Sequence, residues 1–318
     1  MSGEDPVSTT SHETEAGQAG RDPGPHTDDE VPAFVAARGL PGLIDVHTHF
    51  MPQPVMEKVW AFFDRLGGPD DPAHWPIRYR RDEPTRVDLL RQLGVRRFTS
   101  LVYAHKPGMA AWLNEWAAGF ARDHADCAQS ATFFPEPGVD RYVAEAVEAG
   151  ARVFKLHLQV GDLDPRAREL DPVWARLARL GIPVIIHAGS GPHPGGCTGP
   201  GPVGTVLRAQ PDLMLVIAHA GAPEYHEFLD LALAHEHVML DTTMVFTDFF
   251  NRLVPPPPGY PDRVLAHPER FAFGTDFPQI PYPYAHQLNV LMRLGVDDSW
   301  LRAVCWENGR RLLGDPSP

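Results

Sequence analysis

The motif His47-Thr48-His49 is the first stretch of the sequence whose residue types and spacing could do chemistry. It ends a short apolar run that begins at Gly42, and an extended strand places residues i and i+2 on the same side. Both imidazoles would then point to one face, where they could chelate a divalent metal ion. Because the chain contains 16 histidines, the spacing is only moderately specific, and a metal site needs further ligands from elsewhere.

Apolar runs that alternate with helix-type periodicity show which elements could bring such ligands together. The run leading to His47 is the first predicted strand, and seven more are predicted at residues 95–103, 129–134, 152–158, 182–186, 213–218, 238–241 and 270–274. Eight strands alternating with helices are typical of a parallel α/β protein. The count favours a (β/α)8 TIM barrel over an open doubly wound sheet, for which a Gly-x-Gly-x-x-Gly turn is expected after the first strand and is not found there.

The segments between these strands carry the periodicity of amphipathic helices. An aromatic stripe at i, i+4 and i+8, formed by Trp112, Trp116 and Phe120, predicts a helix face packed into the core. Asp171 is predicted to cap a helix that ends before Gly181. The predicted helices cover residues 55–66, 88–93, 110–123, 140–149, 171–180, 223–234, 284–294 and 298–313, with a short one ending at residue 209.

Polar residues end five of the predicted strands, and in a barrel the active site lies at the C-terminal ends of the strands. These residues are His47, His49, Lys155, His157, His187, His219 and Asp276. Imidazoles and a carboxylate together suit Zn²⁺, Mn²⁺ or Fe²⁺, with a position left open for water or substrate. Such an ion lowers the pKa of bound water toward ~7, and a histidine that is not a ligand can then transfer the proton.

Residues 1–32 differ in composition from the rest of the chain. They are rich in Ser, Thr, Gly, Pro and acidic residues, so we expect a disordered acidic tail followed by one domain over residues 33–318. Residues 1–30 hold eight acids and one base, Arg21, and contribute −7 of the formal net charge of −13. The remainder of the chain is therefore only mildly acidic.

Composition also limits the partners and the compartment. The sequence has no basic stripe or polybasic segment, so we expect a small-molecule substrate and no nucleic acid or membrane partner. Three separated cysteines, Cys127, Cys197 and Cys305, without a Cys-x-x-Cys pair argue for a reduced, cytoplasmic protein. The sequence shows no basic segment followed by an apolar signal-type segment and no run of 18 apolar residues, so we expect neither secretion nor a membrane span. The sequence leaves open whether the chain forms a homo-oligomer.

Several strand-end segments together carry a resemblance to a known family. They are His47-Thr48-His49, Val184-Ile185-Ile186-His187-Ala188-Gly189, Val216-Ile217-Ala218-His219-Ala220-Gly221 and Phe273-Gly274-Thr275-Asp276-Phe277-Pro278. In this order they resemble the amidohydrolase superfamily, and specifically its amidohydrolase 2 branch. That branch contains metal-dependent hydrolases and the aminocarboxymuconate-semialdehyde and resorcylate-type decarboxylases. The segment from Glu307 to Leu312 is similar to the closing segment of the same branch.

The resemblance implies one divalent metal ion, with Zn²⁺ expected before Mn²⁺ or Fe²⁺. It implies that His47, His49, His187 and Asp276 bind the ion. It also implies that His219, beside the metal-bound water, acts as acid or base, and we count Asp276 with it as catalytic.

Lys155 leaves a two-metal arrangement open. A carbamylated lysine bridges the ions of two-metal amidohydrolases at this position, but the Lys155 segment also resembles single-metal relatives, and we expect one ion. Lys155, His157 and His105 are candidates for contacts with substrate or with the metal ligands, although a plain loop role competes for His105. We expect a structural role for Asp241 and consider that Asp45 could orient an imidazole.

The resemblance thus implies a metal-dependent hydrolase in which activated water attacks the carbonyl of an ester, lactone or amide. A non-oxidative decarboxylase of an aromatic or unsaturated carboxylate is the first alternative, with His219 or Asp276 protonating carbon. An inactive barrel that serves as a binding protein is the second, although every ligand position holds a competent residue. Substrate choice is expected to depend on loops 67–84, 188–204 and 244–259, of which 188–204 is a predicted lid.

Overall fold

Parallel strands form the centre of the protein, as the sequence predicts. The computed structural model describes residues 24–68, 70–191 and 194–316. Its strands are β1 (Leu43–Asp45), β2 (Val95–Thr99), β3 (Cys127–Ala128), β4 (Ser130–Thr132), β5 (Val153–His157), β6 (Val184–His187), β7 (Leu215–Ile217), β8 (Val238–Asp241) and β9 (Phe271–Ala272). Because β3 and β4 flank Gln129 and share the third position, these segments occupy eight positions around the barrel.

Hydrogen bonds continue the barrel where regular pairing stops. Parallel pairing runs through β1-β2-β3 and through β4-β5-β6-β7-β8-β9. At the first junction the Ser100 N–H donates to the Ser130 hydroxyl at 3.0 Å. At the second junction the Val46 N–H donates to the Phe273 carbonyl, and the Asp276 N–H donates to the His47 carbonyl, each at 2.9 Å. The predicted (β/α)8 barrel is confirmed, and its first and last strands are held together beside the two predicted ligand segments.

Alternate strand residues change from apolar to polar along the barrel. One cluster of buried apolar side chains includes Val153, Ile185 and Met239. A strand returns to the same face every second residue. Two residues further along each strand, this face therefore carries the polar groups Lys155, His187 and Asp241. The barrel therefore has an apolar interior below a polar C-terminal end.

Helices cover the strands and connect them in sequence. They are α1 (Val31–Ala37), α2 (Gln53–Phe63), α3 (Glu83–Gln92), α4 (Ala110–Asp123), α5 (Val139–Glu148), α6 (Leu158–Gly161), α7 (Asp171–Leu180), α8 (Pro200–Ala209), α9 (Tyr225–Ala234), α10 (Asp248–Leu253), α11 (Tyr260–Ala266), α12 (Ala285–Arg293), α13 (Asp298–Arg302) and α14 (Asn308–Leu313). A π-helical turn, Ala303–Glu307, joins the last two. Within the described ranges, no helix combines the length and apolar character needed to cross a membrane.

Two predictions about helices are wrong in detail. Trp112 of the aromatic stripe is 48% exposed, whereas Phe120 is buried. Residues spaced by four drift around an α-helix with 3.6 residues per turn, so the first and last members of the stripe face different directions. Asp171 begins α7 but does not cap it, because a 3-10 turn precedes the helix and Leu170 takes the cap position. Gly181, with φ of 61°, ends α7 as predicted.

Residues 24–32 belong to the folded domain, although their composition assigns them to the predicted tail. Val31 is fully buried. The Asp28 carboxylate accepts hydrogen bonds from the Tyr79 hydroxyl at 2.6 Å and from the Ala285 N–H at 3.1 Å. The predicted boundary at residue 32 is therefore wrong, because these contacts are with partners distant in sequence that local composition does not reveal. Residues 1–23 lie outside the described residues, and the disordered tail remains a prediction for them.

Candidate metal centre

His47, His49 and Asp276 lie together at the C-terminal end of the barrel, where the first and last strands meet. The Asp276 Oδ1 atom is 3.0 Å from His49 Nε2 and 3.4 Å from His47 Nε2. His219 joins them, since one ligand atom from each of His47, His219 and Asp276 lies within 4.8 Å of the other two. Residues predicted from three separate strand ends are thus gathered into one buried group.

The Asp241 carboxylate supports two members of this group. Asp241 is fully buried at the end of β8. One of its oxygens accepts the His47 Nδ1–H at 2.8 Å, and the other accepts the backbone N–H groups of His219 at 2.8 Å and Thr243 at 3.1 Å. The sequence predicts a structural role for Asp241, and the structure shows that this role includes orienting the His47 imidazole. Its interior position at a strand end was the available signal.

Hydrogen-bond acceptors determine which nitrogen of each imidazole carries the hydrogen. The His47 ring donates from Nδ1 to Asp241. The His49 and His219 rings use Nδ1 toward the carbonyls of Leu101 at 2.7 Å and Thr243 at 3.2 Å, and a carbonyl can only accept. In the neutral form, the His47 and His219 rings therefore keep the lone pair on Nε2. His49 has acceptors at both nitrogens, because its Nε2 atom also lies 3.0 Å from the Asp276 carboxylate. An acceptor behind the ring and a free nitrogen in front are characteristic of metal-ligating histidines.

The backbone around His219 and Asp276 adopts conformations that L-residues rarely use. His219, Ala220 and Asp276 have φ of 53°, 50° and 72°. Such left-handed residues persist where the surroundings hold them, and they concentrate at functional sites. Gly221 follows with φ of 75°, and a Cβ atom there would overlap the Phe228 ring. The tight turn after β7 therefore positions His219 by backbone geometry.

Burial determines the charge of the group. It lowers the pKa of His47 well below the usual value, with a further contribution from Lys155, and it also lowers the pKa of His219. Burial alone would raise the pKa of Asp276, but the hydrogen bond from His49 and the nearby imidazoles lower it below its usual range. His47 and His219 are therefore neutral and Asp276 is ionised, which are the protonation states that a metal ion requires.

His157 and His187 form a stacked pair next to this group. Their rings lie 4.0 Å apart with an interplanar angle of 11°, on residues paired between β5 and β6. His157 Nδ1 accepts the Val160 N–H at 3.2 Å, so in the neutral ring Nε2 carries the hydrogen. His187 Nε2 lies 3.4 Å from the Gly191 carbonyl, which places its lone pair on Nδ1, and its ring is 4.9 Å from that of His219. The predicted ligand His187 is thus adjacent to the buried group.

Lys155 and His105, the remaining predicted candidates, differ in location. Lys155 is buried, and its Nζ atom is 3.1 Å from His47 Nε2. Burial lowers the pKa of this lysine to about 8. His105 is exposed on the loop before α4, so it is not gathered into the buried group. Tyr103, which was not predicted as a site residue, lies near both the buried group and the stacked pair. Its ring is 5.7 Å from that of His49 and 5.4 Å from that of His157.

Asp45 holds the backbone and not an imidazole, so that hypothesis is wrong. Its carboxylate accepts hydrogen bonds from the His47 N–H at 3.1 Å, the Thr275 hydroxyl at 2.6 Å and the Tyr284 hydroxyl at 2.9 Å. Burial raises the pKa of Asp45 to about 7 despite these bonds. Asp45 therefore links the segment that carries His47 to the segment that carries Asp276.

The donor set fits a borderline divalent cation. Neutral imidazole nitrogens and a carboxylate oxygen are the ligands of Zn²⁺ in catalytic sites, and Mn²⁺ or Fe²⁺ accept the same set. The acceptors behind His47 and His219 already select the tautomer that such an ion needs. The residues present could therefore hold a metal ion at the mouth of the barrel.

A parallel barrel with a histidine and aspartate centre at its C-terminal end defines a class of metal-dependent barrel enzymes. The family model described as amidohydrolase matches residues 44–314. The chain belongs to this family, in its amidohydrolase 2 branch, and the resemblance inferred from the strand-end segments is confirmed. No curated protein sequence matches the chain.

Solved structures show the same fold at low identity. An uncharacterised TIM-barrel protein from Bordetella bronchiseptica is 19% identical, with a TM-score of 0.65, over 85% of this chain and 98% of its own. A candidate 2-pyrone-4,6-dicarboxylic acid hydrolase from Pseudomonas putida is 16% identical, with a TM-score of 0.58, over 86% and 98%. A 5-carboxyvanillate decarboxylase from Novosphingobium aromaticivorans, with bound manganese, is 13% identical, with a TM-score of 0.57, over 86% and 98%. Hydrolases and decarboxylases therefore share this architecture.

Proposed function

We propose that the protein is a metal-dependent hydrolase that attacks the carbonyl of a small-molecule ester, lactone or amide. The observation that carries the proposal is the convergence on the Asp276 carboxylate of three imidazoles whose Nδ1 atoms are bonded to acceptors behind them. The ligands that we propose are His47, His49, His187 and Asp276. We propose one ion, with zinc first and manganese or iron next, since Lys155 Nζ contacts His47 and no second carboxylate joins the described group.

Each residue of the centre would have a separate role in hydrolysis. When bound, a divalent cation at such a site acidifies water and polarises a carbonyl oxygen. His219, with Nδ1–H bonded to Thr243, would accept a proton at Nε2 and return it to the leaving group. Asp241 would hold the His47 ring and the His219 backbone in place during this transfer. Asp276 would contribute negative charge next to the reacting atoms.

A decarboxylase is the second candidate, and one specific observation favours it. The stacked, nearly parallel rings of His157 and His187, with Tyr103 beside them, form an aromatic surface next to His49. A planar aromatic or unsaturated carboxylate would pack well against such a surface. His219 or Asp276 would then supply the proton that replaces carbon dioxide on the substrate carbon.

We further propose a cytoplasmic location and a small-molecule substrate, with no nucleic acid or membrane partner. The three cysteines are free. Burial raises the pKa of the Cys127 thiol to about 12 and that of Cys305 further, which makes both thiols unreactive. These features agree with a reducing compartment. Whether the chain assembles with copies of itself is a separate question, which light scattering of the purified protein addresses.

The test combines metal analysis of the purified protein with a substrate screen. The screen contains esters, lactones, amides and aromatic carboxylates, and it monitors both hydrolysis products and carbon dioxide. We expect about one metal equivalent per chain, since the described residues contain one cluster of donors. His47→Ala and His187→Ala should lose the metal, whereas His219→Ala should retain it and lose turnover.

Each alternative has its own outcome. Carbon dioxide release without water consumption would replace the hydrolase proposal by the decarboxylase. Two metal equivalents that are lost in Lys155→Ala would overturn the single-ion assignment in favour of a carbamylated bridge. A folded protein that binds no metal and turns over nothing in the screen would support an inactive barrel that serves as a binding protein.

A further inference from the structure

The side-chain amide of Gln287 is buried outside the candidate metal centre. It bonds to a backbone segment that supports this centre. Gln287 on α12 is fully buried. Its Oε1 atom accepts the Met244 N–H at 2.9 Å, and its Nε2 atom donates to the carbonyls of Thr242 at 2.9 Å and Val245 at 3.3 Å. These three hydrogen bonds go to one short segment, which follows β8.

The segment that Gln287 holds has an unusual backbone. Met244 and Phe246 have φ of 63° and 68°, in the left-handed region that non-glycine residues rarely occupy. Such conformations persist only where neighbouring groups hold them. Local bonds, including the one from the Thr247 hydroxyl to the Met244 carbonyl at 2.7 Å, contribute. Gln287 supports the segment from α12, which is a different element of the fold.

The same segment carries the group behind the His219 ring. Thr243 lies between two residues that Gln287 contacts, and its carbonyl is 3.2 Å from His219 Nδ1. Its N–H donates to Asp241, which also accepts the His219 N–H. A shift of the segment would therefore move the acceptor that selects the His219 tautomer.

We propose that Gln287 is a positioning residue that fixes the Thr243 carbonyl and thereby keeps the hydrogen of neutral His219 on Nδ1. The Nε2 lone pair then faces the candidate metal centre. Gln287 acts through Thr243, without touching the reacting atoms. The catalytic consequence rests on the function proposed for His219, whereas the tautomer itself depends only on the described hydrogen bonds.

Gln287→Met is the informative variant, because methionine has a similar size and none of the three hydrogen-bonding functions. Asn289→Leu is its matched control. Asn289 lies on the same helix and is also buried, but its amide donates to the Gly24 carbonyl at 3.3 Å, away from the segment. Any general effect of removing a buried amide from α12 should therefore appear in both variants.

The primary measurement is ¹⁵N NMR of histidine imidazoles in the metal-free protein at a pH where the rings are neutral. The His219 signals are identified by their absence from His219→Gln. We expect the Nδ1–H form of His219 in the wild type and in Asn289→Leu, and a mixture of tautomers in Gln287→Met. If the proposed function holds, kcat should also fall about 10- to 100-fold in Gln287→Met, with a much smaller change in KM.

A folded Gln287→Met protein with an unchanged His219 tautomer would overturn the inference. If Gln287→Met does not fold, Gln287→Glu replaces it, because glutamate keeps the acceptor for Met244 and loses both donor bonds. The tautomer mixture is then expected in Gln287→Glu, and its absence would again overturn the inference. A wild-type protein that shows the expected tautomer but turns over no substrate would refute the proposed function while leaving the positioning role supported.

Discussion

The two sides of the candidate metal centre are held by different kinds of interaction. On the first, which we term the ligand side, His47, His49 and Asp276 each contact a hydrogen-bond partner at short distance. On the second, the stacked side, His157 and His187 pack ring against ring. Among the described residues, the side-chain hydrogen bond of His187 is a long one, 3.4 Å to the Gly191 carbonyl in the loop that follows it.

This difference indicates that the ligand side is held in a fixed geometry, whereas the stacked side can adjust to a substrate. A metal centre needs its ligands oriented before the ion arrives, and buried hydrogen bonds provide that orientation. Ring stacking has little directional preference around the ring normal, so the stacked side can adjust to a substrate with less loss of energy. We therefore expect substitutions on the ligand side to remove metal and those on the stacked side to change substrate affinity.

The largest expected effect is that of Asp276→Asn. The substitution keeps the shape of the side chain but removes the ionised carboxylate from the ligand side, and a metal-bound charge of this kind contributes several kcal/mol. We expect kcat/KM to fall at least about 10³-fold, which corresponds to about 4 kcal/mol. Metal content after dialysis and steady-state kinetics are the measurements. Full metal occupancy with near-normal turnover would contradict the division into two sides.

Asp241→Asn should have the next largest effect. Asn cannot provide the charged acceptor for the His47 Nδ1–H, so the ring loses the group that fixes its orientation. Metal affinity should fall about 10- to 100-fold, measured by competition with a chelator. Asp230→Asn is the control, since Asp230 is exposed and pairs only with Arg263 among the described ion pairs. An equal loss in both variants would show that net charge and not ring orientation is responsible.

Gly189→Ala tests how the stacked side depends on the adjoining loop. A Cβ atom at Gly189 would overlap the Ala222 carbonyl, so the loop after His187 must move away from the turn that carries His219. We expect a loss of about 1–3 kcal/mol in the free energy of unfolding and a lower affinity for substrate. Gly196→Ala, in the same loop, has open space around its Cβ and should change stability by less than about 0.5 kcal/mol. Chemical denaturation compares the two, and equal losses would contradict the close contact.

His157→Phe is the smallest expected change. Phenylalanine keeps a flat ring against His187 but removes the Nε2–H group and the acceptor for the Val160 N–H. Metal content should be unchanged, and kcat/KM should fall by less than about tenfold, mainly through KM. Loss of metal in this variant would assign His157 to the ligand side.

The sequence is sufficient to predict the barrel and the polar groups at its mouth, because both follow from short periodic patterns. Strand alternation places His47, Lys155, His187 and Asp276 at strand ends without any knowledge of their contacts. The predicted strand at 238–241 and the predicted helix at 110–123 agree with β8 and α4 to the residue.

What the sequence does not reveal depends on contacts between distant segments. The carbonyls of Leu101 and Thr243 orient imidazoles, but a carbonyl is present at every residue and leaves no sequence signal. Asp28 shows the same limit at the N-terminal boundary, since its partners Tyr79 and Ala285 come from two later segments. In the sequence, Tyr103 has the pattern of an ordinary strand residue. Only the fold shows that it lies between His49 and His157.

The junction between the first and last strands ties assembly of the centre to the order of protein synthesis. His47 and His49 leave the ribosome early, but their partner strand and Asp276 follow only after more than 200 further residues. The His49 N–H then donates to the Phe277 carbonyl at 2.7 Å as the barrel closes. A nascent chain that stops before Asp276 lacks both the closing strand and the carboxylate, so metal loading is expected to be confined to chains whose synthesis has passed this point.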